Sequence, residues 1–163
     1  MLAKHLVRGA MAALLLSACA TTPEKNTSVV VTSSGSAVTA NSEATQFAAT
    51  LNRYRAQKGR KPLTPNPELT RAARAHAIDM ARQDYFSHRG KDGSLPQHRI
   101  RKAGYRACAT GENLAFGQPT ALDAFEAWVD SPGHNRILLY RDFDEYGFAR
   151  YGRFWVLNVG QRC

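Results

Sequence analysis

The sequence predicts an α+β domain carried behind an export signal and a tether. Two observations lead there. Apolar residues recur at helical spacing from Phe47 to Val129, with glycine and proline between the runs, whereas strand-like alternation appears only in the C-terminal "EYGFARYGRFWVLNVGQ". The order is helices first and a little sheet late, with no internal repeat.

The N-terminus reads as a targeting segment. Lys4, His5 and Arg8 form a positive region ahead of "GAMAALLL", an apolar run too short to cross a bilayer, which takes about 20 residues. The following "LSAC", ending at Cys19, resembles the bacterial lipobox, which implies a signal peptide over residues 1–18 and a diacylated Cys19. Ala20 after that cysteine resembles lipoproteins sorted to the outer membrane. The expected location is the periplasmic face of that membrane, with the lipid as membrane partner. Residues 19–42 hold Ser, Thr and Ala with few large apolar side chains beyond four valines, too little to bury a core, and are expected to form a disordered tether. The domain then covers residues 43–163, enough for one modest core.

With Cys19 lipidated, Cys108 and Cys163 remain as an even pair in an oxidising compartment, and a disulfide between them is expected. Removing Lys4 and Arg8 from the 22 Lys and Arg leaves the mature chain at about +7 against its 13 Asp and Glu. Export removes nucleic acid from the expected partners. The arginines (Arg53, Arg55, Arg60, Arg71, Arg74, Arg82, Arg99, Arg101) are scattered without interleaved aromatics, and are read as a solvated basic surface.

Phe47, Leu51 and Tyr54 at i, i+4, i+7, with Gly59 as a stop, predict a helix over residues 43–58. Asn66 and Pro67 supply an N-cap and first-turn proline for a second helix whose buried face carries Leu69, Ala73 and Met80; His76 falls on that face and is expected to be a hydrogen-bonded core histidine. After the Asp92-Gly93-Ser94 turn a short helix over residues 95–103 stops at Gly104. "ACATGENLAFG" reads as an extended segment running into a loop. Thr120 and Asp123 form a capping box for a helix bearing Leu122, Phe125, Trp128 and Val129, which ends at Pro132. A short helix after Gly133 carries Ile137 and Leu138. The chain closes as a β-hairpin turning at Tyr151-Gly152-Arg153.

Three ionisable residues stand at breaks between elements: His88 in "YFSHRG", Glu112 in "TGENLA" and His134 in "DSPGHN". These motifs, with "AWVDSPGHN" and the hairpin ending, resemble in order the CAP superfamily, the cysteine-rich secretory, antigen-five and pathogenesis-related-one proteins, in its bacterial SCP-domain branch. The resemblance runs from about Phe47 to the C-terminus. It implies an α-β-α sandwich, a small antiparallel sheet between helices, and an open cleft lined by two histidines and two acids. His88 and His134 match the histidines and Glu112 the first acid. Where eukaryotic relatives place a second glutamate, this chain has Ser131.

Two imidazoles beside a carboxylate form a plausible site for zinc or another divalent ion, with His88 and His134 as ligands; the alternative is a carboxylate that braces the histidines without metal. Ser131 is expected to cap a helix, Glu126 to be solvated, and Asn113 to fix the "GEN" segment through its backbone, with Ser131 and Asn113 lining the ligand cleft. Phe86, Phe116, Trp128 and Trp155 could wall a lipid pocket or be core, and are read as core. The expected function is ligand binding by a monomeric lipoprotein, the ligand being a lipid, a cell-envelope component or a divalent cation. The rivals are a metal-assisted hydrolase of peptide or envelope polymer using His88, Glu112 and His134, and an interaction module acting through its basic face.

Overall fold

The computed structural model describes residues 34–163; the signal peptide, Cys19 and the tether up to residue 33 lie outside them. The described chain runs α1 (Ser34–Gln57), β1 (Thr64–Pro65), α2 (Pro67–Gln83), α3 (Pro96–Lys102), β2 (Ala107–Phe116), α4 (Ala121–Asp130), α5 (Pro132–Leu138), β3 (Glu145–Tyr151) and β4 (Phe154–Arg162). α1 begins well ahead of the expected start, so residues 34–42, read as the end of the tether, are helical. Extending an existing helix adds one hydrogen bond for each residue fixed, and no proline interrupts this stretch.

The strands form one sheet in the order β1-β3-β4-β2. β3 and β4 make the expected hairpin, with Gly152 at φ 57° in its turn, and β4 pairs antiparallel with β2 as well. Two expectations are corrected here. The "GEN" segment is no loop: Glu112 pairs with Asn158 and Asn113 with Leu157 inside a ten-residue strand. Glycine, alanine and asparagine have weak strand propensity, and pairing with the buried β4 overrides it. The sheet is also mixed, because the two-residue β1 pairs parallel with β3; a strand of two residues, one of them proline, has no period to read.

The sheet is covered on both faces. Ala73, Ala77 and Met80 of α2 pack on Leu114, Ala149 and Val156, and α3 joins this layer through Ile100, which clusters with Leu69 and Ala72 of α2. On the other face Phe47 and Leu51 of α1 and Ala124, Phe125 and Trp128 of α4 pack on Ala115, Trp155 and Leu157. The result is the α-β-α sandwich that the motifs imply. α2 lies so close to β3 that a Cβ on Gly147 would stand 2.1 Å from the backbone of Leu69 and Thr70, so only glycine admits this approach.

Trp128 and Trp155 are core residues at 1% and 0% exposure, and the Trp128 indole donates to the Leu114 carbonyl at 2.9 Å, tying α4 to β2. Phe86 and Phe116 depart from the expectation: they are 50% and 41% exposed. Phe116 ends β2 and Phe86 lies in the segment after α2, so neither is covered by a second layer. Arg55 is the opposite surprise. It was counted with the solvated charges, yet it is fully buried and donates to the carbonyls of Lys61, Leu138 and Tyr140 at 2.8, 2.6 and 3.2 Å, satisfying backbone groups at the end of α5. The Cys108–Cys163 disulfide is present and ties the C-terminus to the start of β2.

Candidate functional site

Glu112 is the centre of the site. Strand alternation sends its side chain to the α2 and α3 face of the sheet, where it is only 1% exposed. A buried carboxylate needs compensation. Arg99 of α3 provides it, with Nη2 at 3.0 and 2.8 Å from the two carboxylate oxygens, while its Nη1 donates to the Ser94 carbonyl at 3.0 Å. Asn158 of β4 adds to this when its amide is oriented to satisfy both ends: Nδ2 donates to Glu112 Oε2 at 3.2 Å and Oδ1 accepts from the Ala73 N–H at 3.1 Å.

The remaining partner is His88, whose Nδ1 lies 2.8 Å from Glu112 Oε1. A carboxylate beside a cation is an acceptor, so the proton on Nδ1 faces Glu112 and Nε2 is turned away from it. The ring is 53% exposed, held at its buried edge and open at the other.

His134 is fixed from the opposite side of the same strand. Asn113, one residue after Glu112, points to the other face and donates from Nδ2 to the His134 carbonyl at 3.1 Å. Asn135 strengthens the hold: its Nδ2 donates to the Val129 carbonyl at 2.8 Å and its Oδ1 accepts from the Tyr54 hydroxyl at 3.0 Å. Burial, and then the neighbouring His88, hold the His134 pKa below its ordinary value. The two rings are thus electrostatic neighbours, and His134 is neutral near pH 7.

Around "DSPGHN" the structure refines the reading. α5 starts at Pro132 and not after Gly133, so His134 sits in the first turn of that helix. Proline serves well as the first helical residue because its missing N–H would have had no partner. Ser131 occupies the N-cap position, but its hydroxyl makes no capping bond; its carbonyl accepts from Asn135 N at 2.8 Å instead. No hydrogen bond joins Ser131 to His134, so a serine-histidine pair is absent among the described residues. Glu126 is exposed, as expected. His76 is the core histidine that its helical phase implies, 1% exposed, with Nε2 2.9 Å from the Ser87 carbonyl.

Arg99 is the functional residue that sequence reasoning missed. It is one arginine among many, and only the tertiary approach of α3 to β2 distinguishes it. Beside the site Phe86, Phe116 and Phe154 form an aromatic ledge, with centroids 5.8 Å apart for Phe86–Phe116 and 4.8 Å for Phe116–Phe154, and the Arg153 guanidinium lies over Phe116.

The donor set tests the zinc expectation. Glu112 spends both oxygens on Arg99, His88 and Asn158, which leaves two imidazoles. Among the described residues no group of three or more His, Cys, Asp or Glu side chains is placed to hold a metal ion. Structural zinc takes four protein ligands and catalytic zinc three, so the residues present do not fit such a centre. The Glu112 carboxylate is hydrogen-bonded to His88 and Arg99.

Comparison with known proteins agrees with this architecture. Residues 48–157 match CAP, the cysteine-rich secretory protein family, and the chain belongs to that family. It is 32% identical over 107 residues to YkwD of Bacillus subtilis, covering 64% of this chain and 42% of that protein. It is 27% identical over 111 residues to YlbC, a membrane protein of the same bacterium, covering 68% of this chain and 32% of that one. The chain therefore spans less than half the length of either relative. Among solved structures, an extracellular SCP-domain protein of Bacillus anthracis superposes with TM-score 0.70 at 24% identity, over 72% of this chain and 40% of that one. An outer surface protein of Borrelia burgdorferi does so with TM-score 0.70 at 24% identity, over 75% and 94%. These two likenesses concern the fold.

Proposed function

We propose that this protein is an exported, lipid-anchored binding module whose cleft holds a hydroxyl- or amide-bearing component of the cell envelope, a lipid headgroup or wall polymer, against His88 and His134. The observation that carries this is the saturation of Glu112: its carboxylate is used entirely in fixing His88, which leaves Nε2 as an oriented acceptor at a half-open surface. A ligand O–H or N–H satisfies that lone pair, and the exposed faces of Phe86 and Phe116 offer apolar contact alongside. Export and an envelope location are supported by the extracellular and surface relatives and by the signal and lipobox of residues 1–19. No helix among the described residues is long and apolar enough to cross a membrane; the anchor we propose is a lipid on Cys19.

The same geometry favours one second reading. A histidine whose Nδ1–H is held by a carboxylate is an oriented general base, and its Nε2 would take a proton from a water attacking an ester or amide of the envelope. Among the described residues no side-chain nucleophile is hydrogen-bonded to either histidine, so this reading requires water as the nucleophile.

Mature protein is tested against soluble peptidoglycan fragments and against phosphatidylethanolamine–phosphatidylglycerol vesicles, beside His88→Ala and His134→Ala. Saturable binding to either probe that drops at least tenfold in both variants supports the module. Hydrolysis lost in the same variants selects the second reading. Binding that survives both variants and fails on reversal of Arg charges moves the function to the basic surface. A zinc titration accompanies it: stoichiometric binding lost in both variants would overturn the bracing account.

A further inference from the structure

The sheet ends at β2, and no strand among the described residues pairs with its outer side. In an antiparallel ladder alternate residues turn their backbone groups to the two sides of a strand. The Gly160 carbonyl accepts from the Asp144 N–H at 3.0 Å, so Gly160 directs its groups toward β3. Thr110, which stands opposite Gly160, therefore directs its own N–H and carbonyl outward, away from β4. Leu114 has the same phase, and there the outward carbonyl is taken by the Trp128 indole of α4 at 2.9 Å. At Thr110 no turn, helix end or side chain among the described residues supplies such a partner.

Two depressions flank this free edge, one on each face of the strand, and Ala109 and Thr110 line both. On the α5 face a depression of about 390 Å³ has Ile137, Tyr140 and Phe143 as its apolar wall, with Arg136 beside them. Tyr140 is 44% exposed and its ring centroid lies 4.7 Å from that of Phe143, so this wall is open to a ligand. On the α3 face a depression of about 220 Å³ is polar, with Gln97, Arg101 and Tyr105 around it.

The charge beside the edge has one sign. Neither depression has Asp or Glu in its lining. Arg101 and Arg136 are exposed, and their side chains make no hydrogen bond or ion pair among the described residues. Glu145, the acid behind Tyr105, is engaged by the Tyr105 hydroxyl at 2.6 Å, by Asn66 at 2.9 Å and by Arg162. Arg141 and Asp142, between Tyr140 and Phe143 in the chain, carry opposite charges. Two copies of the chain paired antiparallel through Thr110 would bring Arg101 toward Arg101 and Arg136 toward Arg136. Basic side chains at a sheet edge repel a like strand in this way, and an acidic strand is the class that they attract.

We propose that the β2 edge at residues 109–111 accepts an extended acidic segment of another protein as an added strand. The backbone of that segment pairs with the Thr110 N–H and carbonyl. Its successive side chains fall on opposite faces, an acidic one toward Arg101 and Gln97 and an aliphatic one against Ile137, Tyr140 and Phe143. The sequence class is an alternation of acidic and aliphatic residues. This site goes beyond the histidine cleft and uses neither His88 nor His134.

The test is a fluorescence-anisotropy titration of dye-labelled Glu-Val-Glu-Val-Glu-Val-amide with the mature protein. Saturable binding is expected, and the peptide with lysine for every glutamate should bind at least tenfold more weakly. N-methylation of one alternate set of peptide amides should abolish binding, and N-methylation of the other set should leave it intact, because only one set faces the edge. Arg101→Glu/Arg136→Glu should weaken binding at least tenfold with an unchanged melting temperature. Thr110→Pro removes an outward N–H without taking a bond from the ladder with β4, and should abolish binding; His88→Ala should leave it unchanged. Indifference to both N-methylated sets would overturn the added strand in favour of general attraction to a basic surface. No saturation below about 1 mM would overturn the site. Dimerisation of the protein alone that is lost in Thr110→Pro would overturn the assignment to another protein in favour of a second copy.

Discussion

Glu112 and Asn113, consecutive residues of β2, hold the two cleft histidines from opposite faces of the sheet: Glu112 fixes the His88 ring and Asn113 the His134 backbone. The two-residue period of a strand makes this possible. β2 is an edge strand of the sheet.

Arg99 is the counter-charge on which the buried Glu112 depends. Arg99→Ala leaves a carboxylate at 1% exposure without its cation, and the loss expected from removing one partner of a buried pair is about 3–5 kcal/mol. Urea unfolding measures it. In the Arg99→Met/Glu112→Gln double variant the loss should be clearly less than the sum of the single losses, because no uncompensated charge remains. Additive losses would show that the two side chains do not interact as the structure has them.

The histidines make stability fall on mild acidification. The folded pKa of His134 is depressed by burial and by His88, and that of His76 by burial. Above their ordinary value near 6.5 both are neutral in the folded and unfolded chain, and stability is complete. As pH falls below 6.5 the unfolded chain takes up protons that the folded chain does not, so stability declines until the folded pKa values are passed. Urea midpoints at pH 7.5 and pH 5.5 should show this loss, and His134→Gln should reduce it. A midpoint independent of pH over that window would contradict it.

The disulfide closes a loop with a sequence separation of 55 between Cys108 and Cys163. Constraint of the unfolded chain over such a loop contributes about 2–4 kcal/mol. Melting with and without reductant should differ accordingly, and Cys108→Ala/Cys163→Ala should match the reduced protein. A melting curve indifferent to reductant would contradict it.

Arg55 is a structural arginine. Its fork reaches three carbonyls from a fully buried position, a geometry that the single ammonium of lysine cannot reproduce. Arg55→Lys is expected to cost about 1.5–3 kcal/mol, the range for hydrogen bonds to a charged group. Neutral behaviour in urea would show that lysine finds equivalent partners.

Much of the fold was legible because it is written in local chemistry. Asn66 caps α2 by accepting from the N–H groups of Glu68 and Leu69, the Thr120 and Asp123 box starts α4, and Gly152 turns the hairpin. Residues whose environment depends on distant chain were read less well. The segment holding Glu112 and Asn113 reads as extended but running into a loop, because the pairing that makes all of it strand comes from β4, and β1 is too short to carry a period. Arg55 and Arg99 look like surface charges until the ends of α5 and β2 are brought to them. At the site, His88 is bonded to Glu112 and the His134 backbone to Asn113, while Ser131 lacks the capping bond expected of it. Where the second acid would stand the chain has Ser131, and Glu112 is bonded to His88, with Arg99 as its counter-charge.

The central claim is that Glu112 serves as a brace that presents His88 Nε2 to a cell-envelope ligand. Histidine ring NMR of the mature protein, titrated with soluble peptidoglycan fragments and with phosphatidylethanolamine–phosphatidylglycerol vesicles, tests it most directly. The account predicts that His88 is the Nδ1–H tautomer before addition, that one of the two probes shifts the His88 and His134 rings together, and that Glu112→Gln weakens the response at least tenfold. An Nε2–H tautomer of His88, or rings that stay in place with both probes, would contradict it.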